Sequence, residues 1–339
     1  MVSQNRNGIL SGGNWIVDYI KIIDTYPQEN ALANIREEKM DTGGAPFNVL
    51  KALRKIGVSF PLEGIGLVGD DAAGQEVLRQ CRQFGIENRQ IRTVSGCGTS
   101  YTDVMTVAAT GKRTFFHYRG ASSALSEGDF DFSTTHARFF HLGYLLLLDE
   151  LDRIDTAGRT GASRVLEHAL RAGMITSVDL VSEQSERYMP VVSSSLPYID
   201  ILFLNEYETQ GLTDISILNT LGYPDLPRAE EAARKILSNG VRNWVIMHFP
   251  KGAIAFNRQG EICFQPAVSL PGGVIKGTVG AGDAFAAGVL GALHENWPMQ
   301  EALKSGVCVA ATSLLAPGAS EGIKTWQQCL DWAEQWAWA

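Results

Sequence analysis

The sequence predicts an α/β fold, a mainly parallel central sheet carrying helices and a small β flap. Three observations predict it. From about residue 60 onward, short β-branched runs alternate with helical patterns, the order of strand–helix–strand units. Two stretches break that alternation and read as antiparallel pairs. A glycine-rich turn at 280–282 runs directly into an apolar, small-residue segment at 286–293, as a helix packed closely on its neighbours would read.

Taken in order, residues 16–22 and 35–42 form the first expected antiparallel pair. Pro46 suits the first turn of a helix carrying Asn48, Leu50, Leu53 and Ile56. Residues 62–66 read as a strand, followed by a helix over 74–84 that stops at Gly85. The second pair, 99–107 with 112–118, is joined by the turn signal Thr110-Gly111. Further strands are expected at 139–148, 175–180, 199–204 and 243–248. The tail carries Trp326, Trp332, Trp336 and Trp338, whose helical spacing points to docking on the protein's own body, with a subunit contact as the alternative. No long linker interrupts the chain, so residues 1–339 are expected to form one domain, with the flap built from about 16–42 and 99–119.

Composition removes several classes of function. With 45% hydrophobic and 19% charged residues in 339, the chain is globular, not disordered. A net charge of −8 leaves no basic field for nucleic acid or an anionic membrane, so an anionic ligand must be gripped locally. Cysteines 81, 97, 263, 308 and 329 are scattered without the close pairs of zinc or redox motifs, which suits a reducing compartment. No leader pattern and no run of 18 apolar residues is present, and a cytoplasmic protein is expected.

The chemistry concentrates in Lys276-Gly277-Thr278-Val279-Gly280-Ala281-Gly282-Asp283. Gly280, Ala281 and Gly282 form a helix entrance whose free N–H groups and dipole make an anion site. Asp283 in the first turn could simply suit the dipole, but a binding site alone gains nothing from an added negative charge. Beside a phosphate cradle, a carboxylate can take a proton from an attacking hydroxyl. Gly43 and Gly44 allow close approach where the flap rejoins the body, and Asn48 either faces the same pocket or caps a turn there. Asn205 and Glu208 follow the strand at 199–204, at the sheet edge where ligands gather; their oxygens suit magnesium held partly through water, and a solvated helix start is the alternative. Gly64-Ile65-Gly66-Leu67-Val68-Gly69 matches a dinucleotide fingerprint, but Asp70 and Asp71 would oppose a pyrophosphate, and that reading is rejected. No Gly-x-x-x-x-Gly-Lys-Ser/Thr loop occurs, and His117, His141 and His248 lack metal-ligand spacing.

These motifs, in this order, resemble the ribokinase-like (PfkB) family of carbohydrate and nucleoside kinases. Gly280-Ala281-Gly282-Asp283 resembles its catalytic signature. Asp41-Thr42-Gly43-Gly44-Ala45-Pro46-Phe47-Asn48 resembles its N-terminal signature, in the wording of fructokinases. Gly69-Asp70-Asp71-Ala72-Ala73-Gly74 resembles its Gly-Asp-Asp-x-x-Gly turn, and Asn205-Glu206-Tyr207-Glu208 its magnesium motif. The resemblance implies a three-layer α/β/α fold with a β lid, ATP and Mg²⁺; the lid would form a homodimer contact or, through Ile16, Ile20 and Ile22, cover the protein's own pocket. It makes Asp283 the base and Gly280, Ala281 and Gly282 the cradle. Asp18, Gly43, Gly44, Asn48 and Arg119 would bind substrate. Asn205, Glu208, Gly252 and Thr278 would serve the nucleotide, with Asn205 and Glu208 holding the metal through water.

Departures from the family pattern are visible too. Gly277 stands where many relatives have Asp, which bears on whether a monovalent cation such as K⁺ binds. Met247-His248-Phe249-Pro250-Lys251-Gly252 keeps only Gly252 of the usual nucleotide loop, and Val178-Asp179-Leu180 keeps only the Asp of a longer motif. The expected activity is ATP-dependent phosphorylation of a primary hydroxyl on a ketose-like sugar such as fructose. The alternatives are a nucleoside kinase of the same family and a catalytically silent binding protein.

Overall fold

The computed structural model describes residues 6–183, 185–271 and 273–339. Its strands are β1 (Ile9–Asn14), β2 (Ile16–Ile23), β3 (Ile35–Gly43), β4 (Leu62–Gly69), β5 (Glu87–Val94), β6 (Ser100–Val107), β7 (Arg113–Tyr118), β8 (Phe139–Leu145), β9 (Ile175–Leu180), β10 (Ile201–Asn205), β11 (Trp244–Phe249), β12 (Gly252–Asn257) and β13 (Ile262–Pro266). The helices are α1 (Ala45–Ile56), α2 (Ala72–Gln83), α3 (Asp149–Asp152), α4 (Gly161–Arg171), α5 (Tyr188–Ser193), α6 (Glu206–Thr213), α7 (Leu226–Ser238), α8 (Ala281–His294), α9 (Met299–Ser313) and α10 (Trp326–Ala333).

A nine-stranded sheet runs in the order β13-β12-β11-β10-β9-β8-β1-β4-β5. From β11 to β5 every pairing is parallel, and only β12 and β13 add antiparallel strands at one edge. Helices cover both faces, because parallel strands are apolar on both sides. One apolar core gathers side chains of α1, α2, α8, α9 and α10, including Phe47, Cys81, Phe285, Leu303 and Cys329. The other gathers α4, α5, α6 and α7, through Val165, Val191, Leu212 and Ile236. Three layers result, as the family resemblance implied.

The flap is a separate four-stranded sheet in the order β3-β2-β6-β7. Both expected antiparallel pairs are present, and a parallel β2–β6 pairing joins them. Residues on its inner face fall into one cross-strand row, Asp41, Asp18, Thr102 and His117.

Several expectations need correction. The run at 139–148 is a strand only to Leu145, because Leu146 turns into left-handed backbone at φ 77. The helix expected at 74–84 begins at Ala72, where the Asp71 side chain accepts from the Gly74 N–H as its cap. Strand β1, inside the sheet between β8 and β4, is not among the strands the sequence predicts. Its glycines are demanded by crowding: a Cβ on Gly13 would lie 1.8 Å from the Gly143 carbonyl oxygen. Gly64 and Gly66 of the dinucleotide-like run lie inside β4, where their missing side chains make room for the Trp15 ring. The tail docks on the body as expected, with Trp326 stacked on Trp297 at 4.7 Å and donating to Ser305 Oγ. Trp336 and Trp338 lie past the end of α10, so one helical face does not carry all the aromatics.

Candidate active site

Helix α8 starts at Ala281, with Gly280 as its cap at φ 69. A Cβ there would fall 2.4 Å from the Ala319 methyl, so conformation and space both require glycine at 280. The N–H groups of the first turn have no carbonyl four residues back, and the helix dipole adds positive potential where they point. Asp283 lies in this turn and is only 2% exposed.

The Asp283 carboxylate is held from two directions. Asn48 Nδ2 donates to Oδ2 at 2.8 Å, and the Tyr144 hydroxyl donates to Oδ1 at 2.6 Å and Oδ2 at 2.8 Å. Burial pushes its pKa up to about 6, while these two hydrogen bonds pull it down. Sequence reasoning missed Tyr144 entirely, since a tyrosine after an apolar strand reads as core.

Asp18 faces the same cleft from the flap. Burial pushes it up to about 7, helped by the charges of Asp41 and Asp283 and opposed by a hydrogen bond from Thr102. Gly43 is small for a visible reason, because a Cβ there would sit 2.2 Å from Asp18 Oδ2. Gly44 caps α1 at φ 86, where a Cβ would meet the Asn14 carbonyl oxygen at 2.0 Å. Asn48 Oδ1 and Asn14 Nδ2 are buried without a protein partner. An acceptor and a donor lacking partners beside a carboxylate are what a polyhydroxylated ligand can satisfy.

Asn205 and Glu208 form a reciprocal cap at the start of α6. Asn205 N–H donates to Glu208 Oε2, and Asn205 Nδ2 and Ser182 Oγ donate to Oε1, each at 2.8 Å. Burial pushes Glu208 up to about 7. Asp179 at the end of β9 is held well above the usual carboxylate range by burial, then by the charges of Glu208 and Asp283. Both oxygens of Glu208 already accept bonds, so a metal would be met through water. Crowded carboxylates that raise one another's pKa fit a hydrated divalent cation, with oxygen donors of the type magnesium prefers. A cleft of about 560 Å³ opens beside Glu208, lined also by Ser182, Tyr188 and Tyr207.

Other expected site residues lie elsewhere or do something different. Arg119 donates to the Leu146 carbonyl at 3.0 Å and pairs with Asp149 at 3.3 Å, contacting neither Asp18 nor Asp283 among the described residues. Gly252 begins β12 at φ 151, where a Cβ would lie 2.4 Å from the Gln265 carbonyl oxygen, so sheet packing accounts for its glycine. Thr278 Oγ accepts a hydrogen bond from Arg113 of the flap. A Cβ on Gly277 would lie 2.7 and 2.8 Å from the carbonyl oxygens of Pro317 and Ala316, which leaves no room for the Asp of many relatives. His141 is fully buried in the core against Ser177, and His248 lies beneath Gly282.

Residues 13–326 match the model of the pfkB family carbohydrate kinases. The 5-dehydro-2-deoxygluconokinase of Geobacillus kaustophilus is 24% identical over 311 residues, covering 86% of this chain and 84% of that protein. A probable chloroplastic fructokinase-6 of Arabidopsis thaliana is 25% identical over 300 residues, covering 86% of this chain and 71% of its own. Among solved structures, the Arabidopsis thaliana ribokinase complexed with ribose and ATP superposes with a TM-score of 0.79 at 21% identity, over 97% of this chain and 99% of that one. With its three-layer sheet, its lid and its buried acid at the head of α8, the chain belongs to the pfkB family of carbohydrate kinases.

Proposed function

We propose that this kinase transfers the γ-phosphoryl group of ATP to a primary hydroxyl of a ketose-like sugar such as fructose. One observation carries the reading: Asp283, buried in the first turn of α8, shares a cleft with Asp18 and touches Asn48. Asp283 takes the proton of the attacking hydroxyl, and the amides of Gly280, Ala281 and Gly282 meet the charge that develops on the phosphoryl group. Asp18 and Asn48 orient the sugar, with the flap excluding water from the reacting atoms. Asn205 and Glu208 would hold magnesium through water, and a bound magnesium neutralises the nucleotide's phosphates. No carboxylate is available at 277, and the reading assigns no monovalent cation. Gly252, Thr278 and Arg119 stay supporting residues in it.

The relatives named as 5-dehydro-2-deoxygluconokinase and fructokinase support a ketose-like acceptor, and those named as ribokinase and deoxyribokinase keep ribose in the test. The whole chain works as one kinase domain in this reading, with the flap as its lid. A cytoplasmic location is part of this reading, and five free cysteines support it. A homodimer through the lid is supported by exposed Met40, Phe116 and Tyr118 on the lid, and light scattering that returns a monomer mass rejects it. ADP release measured across fructose, other ketoses, ribose and adenosine tests the acceptor. Turnover highest with a ketose is expected; turnover with adenosine alone would move the reading to a nucleoside kinase, and none with any acceptor to a silent binding protein.

A further inference from the structure

We infer that Tyr144 is a positioning residue for the base, its hydroxyl fixing, together with Asn48, the plane in which the Asp283 carboxylate meets the acceptor. This rests on the reading of Asp283 as the base. An ionised carboxylate only accepts hydrogen bonds, and each oxygen offers about two lone-pair sites. Asn48 donates to Oδ2 at 2.8 Å, and the single Tyr144 proton lies between Oδ1 at 2.6 Å and Oδ2 at 2.8 Å. Tyr144 and Asn48 together grip both oxygens and fix the rotation of the carboxylate, leaving lone pairs free for the proton of an acceptor hydroxyl.

The phenol is itself held by the backbone around it. Tyr144 N–H donates to Asn14 Oδ1 at 3.1 Å, tying the end of β8 to the end of β1. Gly143, just before it, has no space for a side chain, since a Cβ would lie 2.5 Å from the Ala45 methyl of α1. Three elements thus converge to aim one hydroxyl at one carboxylate, an arrangement that apolar packing alone does not need.

The surroundings give that hydroxyl a second task. Asp283 is faced by Asp18 from β2 and Asp179 from β9, with Asp41 and Glu208 behind them, and no lysine or arginine donates to its carboxylate among the described residues. Lys51 pairs with Asp41, Arg113 reaches Thr278, and His248 beneath Gly282 is held neutral by burial. Keeping Asp283 ionised near neutral pH therefore falls to the dipole of α8 and two neutral donors, Tyr144 and Asn48. Loss of either raises the pH needed to form the base.

The test is the pH profile of kcat/KM for Y144F beside wild type and D283N, with the ketose that turns over fastest. Y144F keeps the ring and its packing. It is expected to lower kcat about tenfold and to move the acid limb upward by about half a pH unit or more, with KM for ATP within about twofold. A wild-type kcat and an unmoved acid limb overturn the inference, as does a faster Y144F, which would make the phenol a block on the base. D283N separates this failure from failure of the base itself: if D283N is inactive while Y144F matches wild type, only the role of Tyr144 falls. Should Y144F fold poorly, wild type carrying [ζ-¹³C]tyrosine reads the same bond. The Tyr144 resonance must follow the Asp283 titration and stop moving in D283N; a resonance indifferent to that titration overturns the inference.

Discussion

At the scale of single residues, the site is a set of carboxylates kept near one another against their mutual repulsion. Asp18 shows what this costs. Its folded pKa of about 7 lies above the ordinary value of 3.8, so the folded state holds the proton more tightly than the unfolded one. The stability it contributes is complete below about pH 4 and is lost as pH rises through about 7. Asn at this position mimics the protonated form, so D18N should raise the thermal midpoint at pH 8 by a few degrees and have little effect at pH 4. The same variant should raise KM for the sugar about tenfold or more, since a charged hydrogen-bond acceptor for hydroxyls is gone. Thermal melts at the two pH values and a sugar titration check both halves, and a D18N protein less stable at pH 8 would contradict the assignment of strain to this carboxylate.

At the scale of elements, the flap is latched to the body by charged side chains. Arg113 in β7 donates to Thr278 in the loop before α8, and Lys39 in β3 pairs with Glu321. Such contacts are exposed and add little to stability, so their purpose lies in where they hold the sheet. R113A should leave the thermal midpoint within about 1 °C. It should also raise KM for the sugar several-fold and increase ADP release without sugar phosphorylation, because a looser lid admits water. Coupling of ADP release to sugar phosphate formation, measured in one assay, decides it; unchanged coupling would mean that the lid closes without this latch. The lid itself was legible in the sequence, because its two stretches break the strand–helix alternation and the second carries the Thr110-Gly111 turn. Strand β1 was not, because Ser11-Gly12-Gly13-Asn14 lacks every β signal, and its glycines answer to Ile65, Phe140 and Gly143, contacts made by distant segments.

At the scale of the whole molecule, a chain of net charge −8 binds a polyanionic nucleotide by local means. The amides at the head of α8 sit at the edge where the parallel strands end, between two apolar cores that fix the sheet against helices on both faces. The glycine turn and Asp283 could be read from sequence, since their chemistry is carried by neighbours in the chain. Tyr144 could not, and Asp179 shows in the sequence only as the remnant of a motif, since the roles of both arise where β8, β9 and α8 meet. The most direct measurement is steady-state turnover of D283N under saturating ATP and sugar, with nucleotide binding and thermal midpoint followed in parallel. A fall in kcat of about 10³-fold with ATP affinity and folding preserved is the expected result. Near-normal turnover in D283N would contradict it, and with it the claim that this buried acid readies the incoming hydroxyl.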